Sequence, residues 1–172
     1  MKTVSVNTSN VRRRRLGLCA AAVALMSAIA LPSSAHHSFS IFDGSITRIF
    51  TGVVTRVNPD ANHLQIFFAV MNDERKNVIR DEDGKPIVWA VEMAGSAQSA
   101  RDGISVSTFA PGAIFSVGLH PLRSGQPAGE RGRSPMFLCP ERTPPAAGMH
   151  CDSVEGHTKF GEGELDANRT HE

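Results

Sequence analysis

This 172-residue sequence has no apolar run long enough to span a membrane. The longest, Leu16 to Leu31, covers 16 residues, against the roughly 20 that cross a bilayer. It also lacks the signatures of common catalytic machinery: there is no nucleophile elbow, zinc-protease helix, phosphate loop or dinucleotide fingerprint. No acid and base stand out as a pair, so enzymatic activity is not indicated. Basic residues are scarce beyond the first 35 positions. Five of the 18 lie in that stretch and none of the 17 acidic ones does, which leaves 13 basic against 17 acidic side chains. A surface of that sign does not neutralise phosphates, so nucleic acid is not an expected partner. No internal repeat is visible.

What is present begins with a leader. Arg12 to Arg15 form a basic stretch, the apolar run follows, and Pro32-Ser33-Ser34-Ala35 supplies small residues. That is the layout of a cleavable secretory signal, and it places the mature protein in the periplasm. The consecutive arginines ahead of Leu16 partly resemble a twin-arginine export signal. Cys19 follows the bulky Leu18, which argues against a lipid-attachment site. Cleavage after Ala35 leaves 137 residues, enough for one domain with its own core and no transmembrane segment. Cys139 and Cys151 remain as an even pair in an oxidising compartment, so a disulfide closing their short loop is expected. A thiolate metal site is the sharper alternative.

Strand signals dominate the mature chain. Ile46 to Val57 is rich in β-branched residues and stops at Asn58-Pro59-Asp60; Gly52 in its middle suits a bulge or a sharp bend. His63 to Val70 is a second strand, apolar enough to be largely buried. The charged segment Asn72 to Lys85 ends in the turn signal Asp83-Gly84. A third strand, Ile87 to Met93, puts Ile87, Trp89, Val91 and Met93 on one face and Val88, Ala90 and Glu92 on the other. Ser96 can cap a short helix that Gly103 ends. Ala113 to His120 and Ser134 to Cys139 are strands four and five, with Arg123 to Gly132 as a loop between them. This order predicts a mostly β fold: a small five-stranded OB-like β-barrel with one short helix between strands 3 and 4, or alternatively a small β-sandwich. The expected division is leader 1–35, β-barrel domain 36–140, and a poorly ordered tail 141–172 holding the disulfide loop.

Few residues suggest chemistry. Cleavage after Ala35 exposes the amine of His36, which with its imidazole and a second one can chelate copper. A cut one residue earlier gives Ala35-His36-His37, an amine with His37 in third place, the pattern that binds Cu(II) or Ni(II) in a square plane through deprotonated amides. His63 and His120, both at strand ends, are the candidate partners. The plainer reading is a polar N-terminus with no bound metal. Glu92 lies in a buried-looking strand and needs a partner, for which Arg101 and Arg123 are candidates. With Trp89 they form a candidate ligand-binding set, although such ion pairs are often structural and Trp89 is most simply core. Asp81-Glu82-Asp83-Gly84 lacks the alternating spacing of a calcium loop and reads as a solvated turn.

These blocks resemble a family of short exported bacterial proteins classed only as a domain of unknown function. The resemblance rests on His36-His37-Ser38-Phe39, Phe42-Asp43, Gly52-Val53-Val54, Trp89 to Met93, Arg101-Asp102-Gly103, the Pro111-Gly112 turn and Leu119 to Gly125. The family's Asn-Pro-His turn is interrupted here, Asn58-Pro59 being followed by Asp60-Ala61-Asn62 before His63. Ile104 and Ala113 also stand where the family has an aromatic and an acidic residue. The resemblance implies export and a small β fold, and leaves activity open. The expected function is a non-catalytic module for a small ligand or for a periplasmic or membrane-associated protein. Periplasmic copper binding is the alternative.

Overall fold

This computed structural model describes residues 39–59 and 63–165. The expected leader and cleavage point, with His36 and His37, lie outside the described residues. Among the described residues no helix is long and apolar enough to cross a membrane.

The fold is mostly β. Seven strands, β1 (Arg48–Asn58), β2 (His63–Val70), β3 (Val88–Gly95), β4 (Ile114–Pro121), β5 (Ala128–Glu130), β6 (Met136–Leu138) and β7 (Thr158–Phe160), make one sheet in the order β1-β2-β3-β5-β4-β6-β7. β1 also pairs with β4, so five strands form a closed ring of pairings. All contacts in the ring are antiparallel except β3 with β5. One short helix, α1 (Ser96–Arg101), joins β3 to β4. Its N-cap is Gly95, with no side-chain cap bond; Ser96 instead donates its hydroxyl to the Pro59 carbonyl at 3.3 Å. Gly103 ends the turn in the left-handed region, at φ 77°.

Alternation explains the core. Leu64, Ile66, Phe68 and Val70 of β2, Val91 and Met93 of β3, and Phe115, Val117 and Leu119 of β4 all point into the ring. Each large side chain removed from water contributes roughly 1.5–3 kcal/mol. Val54 and Val57 of β1 both reach this core, although their odd spacing would otherwise send them to opposite faces. The register shift between Val54 and Arg56 is the bulge that corrects the parity. Gly52 is required for a different reason: a Cβ there would run into the Phe68 ring and the Ala69 carbonyl.

The fifth ring strand is Ala128–Glu130, inside the stretch expected to be a loop. The expected fifth strand, Ser134 to Cys139, becomes β6, which pairs with Phe115–Val117 of β4 outside the ring. Three residues with glycine in the middle give β5 no apolar alternation to read. Gly129 is nonetheless demanded, because a Cβ there would strike the His120 carbonyl.

Part of the expected tail, the described residues 141–165, packs against the sheet. Cys139 and Cys151 form a disulfide with Cα atoms 5.0 Å apart, and the loop it closes packs on β4. The Cys151 amide donates to Ser116 Oγ at 2.9 Å. Ser116 Oγ lies 2.7 Å from Thr51 Oγ1, which in turn lies 2.8 Å from His150 Nδ1. Arg75 donates to the Met149 carbonyl at 2.8 Å. Further on, β7 sends Phe160 into the core against Phe109, with ring centroids 5.2 Å apart. Buried Arg131 ties β7 down by donating to the Phe160 and Ser134 carbonyls.

Candidate functional site

The ring has two ends. At the end where β3 runs into α1, Ile104, Phe109 and Phe160 close over Phe115. At the opposite end, where β1 begins and β4 finishes, a cleft of about 210 Å³ is lined by residues that include Asp43, Arg48, Trp89, Arg123 and Gln126.

The cleft is built by backbone. The Asp43 amide donates to the Pro121 carbonyl at 2.8 Å and the Arg123 amide to the Ile41 carbonyl at 2.9 Å. A bridge between Phe42 and Leu122 lies between those bonds. The 41–43 segment is thus stitched antiparallel to 121–123. Gly125, at φ 78°, closes a tight turn by donating to the Leu122 carbonyl, and this presents Arg123 and Gln126 at the rim. Trp89 is half-buried, backed by Phe50 at a centroid distance of 4.6 Å. Arg48, two residues before Phe50 on the same face of β1, places its guanidinium 5.9 Å from the indole centroid.

Asp43 is a fixed anion. Ser45 donates to its Oδ1 from the hydroxyl at 2.6 Å and from the amide at 3.2 Å. Those two bonds hold the carboxyl below the ordinary aspartate value, and Arg123 and His120 add to the effect. Arg123 reaches the same oxygen only at 3.7 Å, with its side chain 59% exposed. Such a pair contributes little and leaves the guanidinium free to turn toward another anion.

A second cleft, of about 150 Å³, lies on the other side of Leu122, between Ile41 and Phe42 and the outward residues Gln65, Ala90, Glu92 and Ala128. Cross-strand register aligns Gln65 with Glu92, Glu92 with Glu130, and Glu130 with His120, a polar row over four strands. His63 Nδ1 sits 3.4 Å from the Glu92 carboxylate and 3.1 Å from the Met93 carbonyl. Burial pushes the Glu130 carboxyl up; Glu92 adds to this, while His120 and His63 oppose it.

The structure therefore brings Trp89 and Arg123 together and sets Glu92 in the neighbouring cleft. It corrects the pairing expected for Glu92. Its carboxylate lies beside His63, because the β2–β3 register carries His63 alongside, whereas Arg123 stands against Asp43. Arg101 is exposed on α1 at the other end of the ring, bonded to Gln98 Oε1 at 2.7 Å. Sequence reasoning missed Arg48, Asp43 and Gln126 as lining residues. Phe42-Asp43 stood out only as a resemblance block, and nothing local distinguishes Arg48 from a solvated strand cation.

Of the histidines in the copper reading, His63 lies on β2 and His120 on β4, while His36 and His37 lie outside the described residues. His120, at the β4 end of the polar row, places Nδ1 2.9 Å from the Ile46 carbonyl. Among the described residues no group of three His, Cys, Asp or Glu is disposed to hold a metal ion.

A family model described as a family of unknown function, DUF6152, matches residues 23–131. That span contains all five ring strands and ends one residue past β5; β6, β7 and the disulfide lie beyond it. No curated protein and no solved structure matches the chain.

Proposed function

We propose the following for this chain, which belongs to the family of unknown function DUF6152: it is an exported, non-catalytic binding module of the periplasm, built on an OB-like barrel, and its ligand occupies the cleft at the open end of the ring. The barrel reading is supported by ring closure through β1–β4, the parallel β3–β5 pair and the single helix between β3 and β4. Export is supported by the leader layout, and the Cys139–Cys151 bond suits an oxidising compartment. The observation that carries the binding role is the gathering of an aromatic surface, two guanidinium groups and an oriented carboxylate around one concavity. Few convergent polar groups around a partly apolar hollow is the general form of a ligand site.

The sole tryptophan of the chain, Trp89, is a built-in reporter. A panel of small anionic, neutral and cationic metabolites screened by Trp89 fluorescence and by amide chemical shifts should give responses confined to Asp43, Arg48, Trp89 and Leu122–Gln126. Responses spread elsewhere, or none from any compound, would refute the proposal.

A further inference from the structure

We infer that the open-end cleft takes a single-ring, hydroxylated monocarboxylic acid, the chemistry of a uronic acid unit. The inference rests on the binding reading above and specifies its ligand.

Three features fix the class. The first is charge. Arg48 and Arg123 bring two guanidinium groups to the cleft and Asp43 one carboxylate, a local balance that a monoanion neutralises. Guanidinium groups bind carboxylates through paired, parallel N–H donors. A phosphate ester near its second ionisation would add a further negative charge beside Asp43, and Asp43 cannot readily give way, since Ser45 holds it ionised.

The second is hydrogen bonding. With Arg123 only at 3.7 Å, the Asp43 carboxylate has acceptor capacity to offer, and Gln126 on the facing loop can both donate and accept. These groups suit ligand hydroxyls, which an unsubstituted carboxylic acid does not present. The third is shape. The half-buried Trp89 gives the cleft an apolar surface on which the C–H face of a ring can rest. At about 210 Å³ the cleft is smaller than the roughly 300–1,000 Å³ of sites for drug-sized molecules, so one ring fits and an oligomer contributes one unit.

The test titrates D-glucuronate, D-glucose, D-glucose 6-phosphate and acetate into the disulfide-bonded protein, followed by Trp89 fluorescence and amide shifts. D-glucuronate is expected to bind at least tenfold more tightly than each of the other three. Arg123→Ala and Arg48→Ala should each weaken it at least fivefold, and Arg123→Lys should restore only part of the loss. Asp43→Asn should narrow the preference for D-glucuronate over D-glucose 6-phosphate. Both arginines are exposed, and near-identical unfolding curves would show that these variants are folded. Equal affinity for D-glucuronate and D-glucose, or tighter binding of the phosphate ester, would overturn the assignment of ligand class. Should a compound outside this class perturb the cleft while D-glucuronate does not, the inference falls and the binding module stands. Silence from every compound, including the wider panel, removes both.

Discussion

At one end of the ring the chain stacks Ile104, Phe109 and Phe160 over Phe115, all nearly inaccessible; at the other it leaves half-buried Trp89 facing Arg48, Arg123 and Asp43. The same strands run through both ends. The sealed end, however, borrows Phe160 from sequence beyond the matched family span, where Arg131, the last residue of that span, holds its carbonyl, whereas the open end is assembled entirely within the span. The difference separates what holds this protein together from what it can present to a ligand. Two arginines show it in miniature. Arg131 is buried and donates to two backbone carbonyls beside β7, while Arg123 is exposed and meets its carboxylate only loosely.

If the sealed end carries stability, Phe109→Ala should produce the largest loss, about 3–5 kcal/mol, as expected for an aromatic deleted from a packed core. Denaturant unfolding measures it. A loss under 1 kcal/mol would mean that the Phe109–Phe115–Phe160 stack is dispensable. Next comes the C-terminal clasp. Replacing Cys139 and Cys151 together by serine should cost about 3 kcal/mol in the chain-entropy model, for cysteines 12 residues apart in sequence. Hydrogen exchange at the Cys151 amide, now bonded to Ser116, should accelerate, while compounds that bind the open end keep their affinity for the remaining folded protein. A change in that affinity comparable to the loss of stability would show that the two ends are not independent.

How much of this was legible in the residues follows the same division. β1 to β4 announce themselves through β-branched content and alternation, and α1 through a left-handed glycine at its end, because burial of one face imposes those patterns locally. β5 and β7 do not. Each is three residues long, too short to show an alternation, and the glycine of β5 reads as a loop signal although it is there to let β4 approach. The disulfide followed from the even pair left once Cys19 is assigned to the leader, together with the oxidising compartment expected for the mature chain. The site was half visible: Trp89 and Arg123 were singled out, but their companions Arg48 and Asp43 arrive through the 41–43 stitch and the β1–β4 register, neither of which leaves a local mark. Which group lies beside Glu92 depends on cross-strand register, which sets His63, and neither arginine, next to its carboxylate.

A smaller effect separates the clasp from the ring by pH. Burial holds the His150 imidazole below its ordinary value of 6.5; Arg75 adds repulsion and Asp152 partly offsets it. The unfolded chain therefore takes up this proton at higher pH than the folded one. The stabilisation from neutral His150 is complete above about pH 6.5 and drains away as pH falls through the window below that value. Glu130 works in the opposite sense: its carboxyl, normally near 4.5, is pushed up by burial, so the folded state holds that proton more readily in acid. Comparing wild type with His150→Gln isolates the histidine. The variant should lose less stability between pH 7 and pH 5, and identical pH profiles would show that the clasp does not respond to this imidazole.

The smallest expected effect tests the division most directly. Arg123→Ala removes a charge whose ionic partner among the described residues, Asp43, stands 3.7 Å away and whose side chain is mostly in water; exposed pairs of that kind are worth from nothing to about 1 kcal/mol. Asp43 does not depend on it, since Ser45 orients the carboxylate, and the stitch between 41–43 and 121–123 is made by backbone groups that alanine keeps. Unfolding free energy should therefore change by less than about 0.5 kcal/mol, the range of ordinary surface substitutions. A loss of 2 kcal/mol or more would place Arg123 with Arg131 among the groups that hold the fold together. A null result leaves Arg123 at the open end as a side chain with almost no structural duty, which is what a residue retained for a ligand looks like.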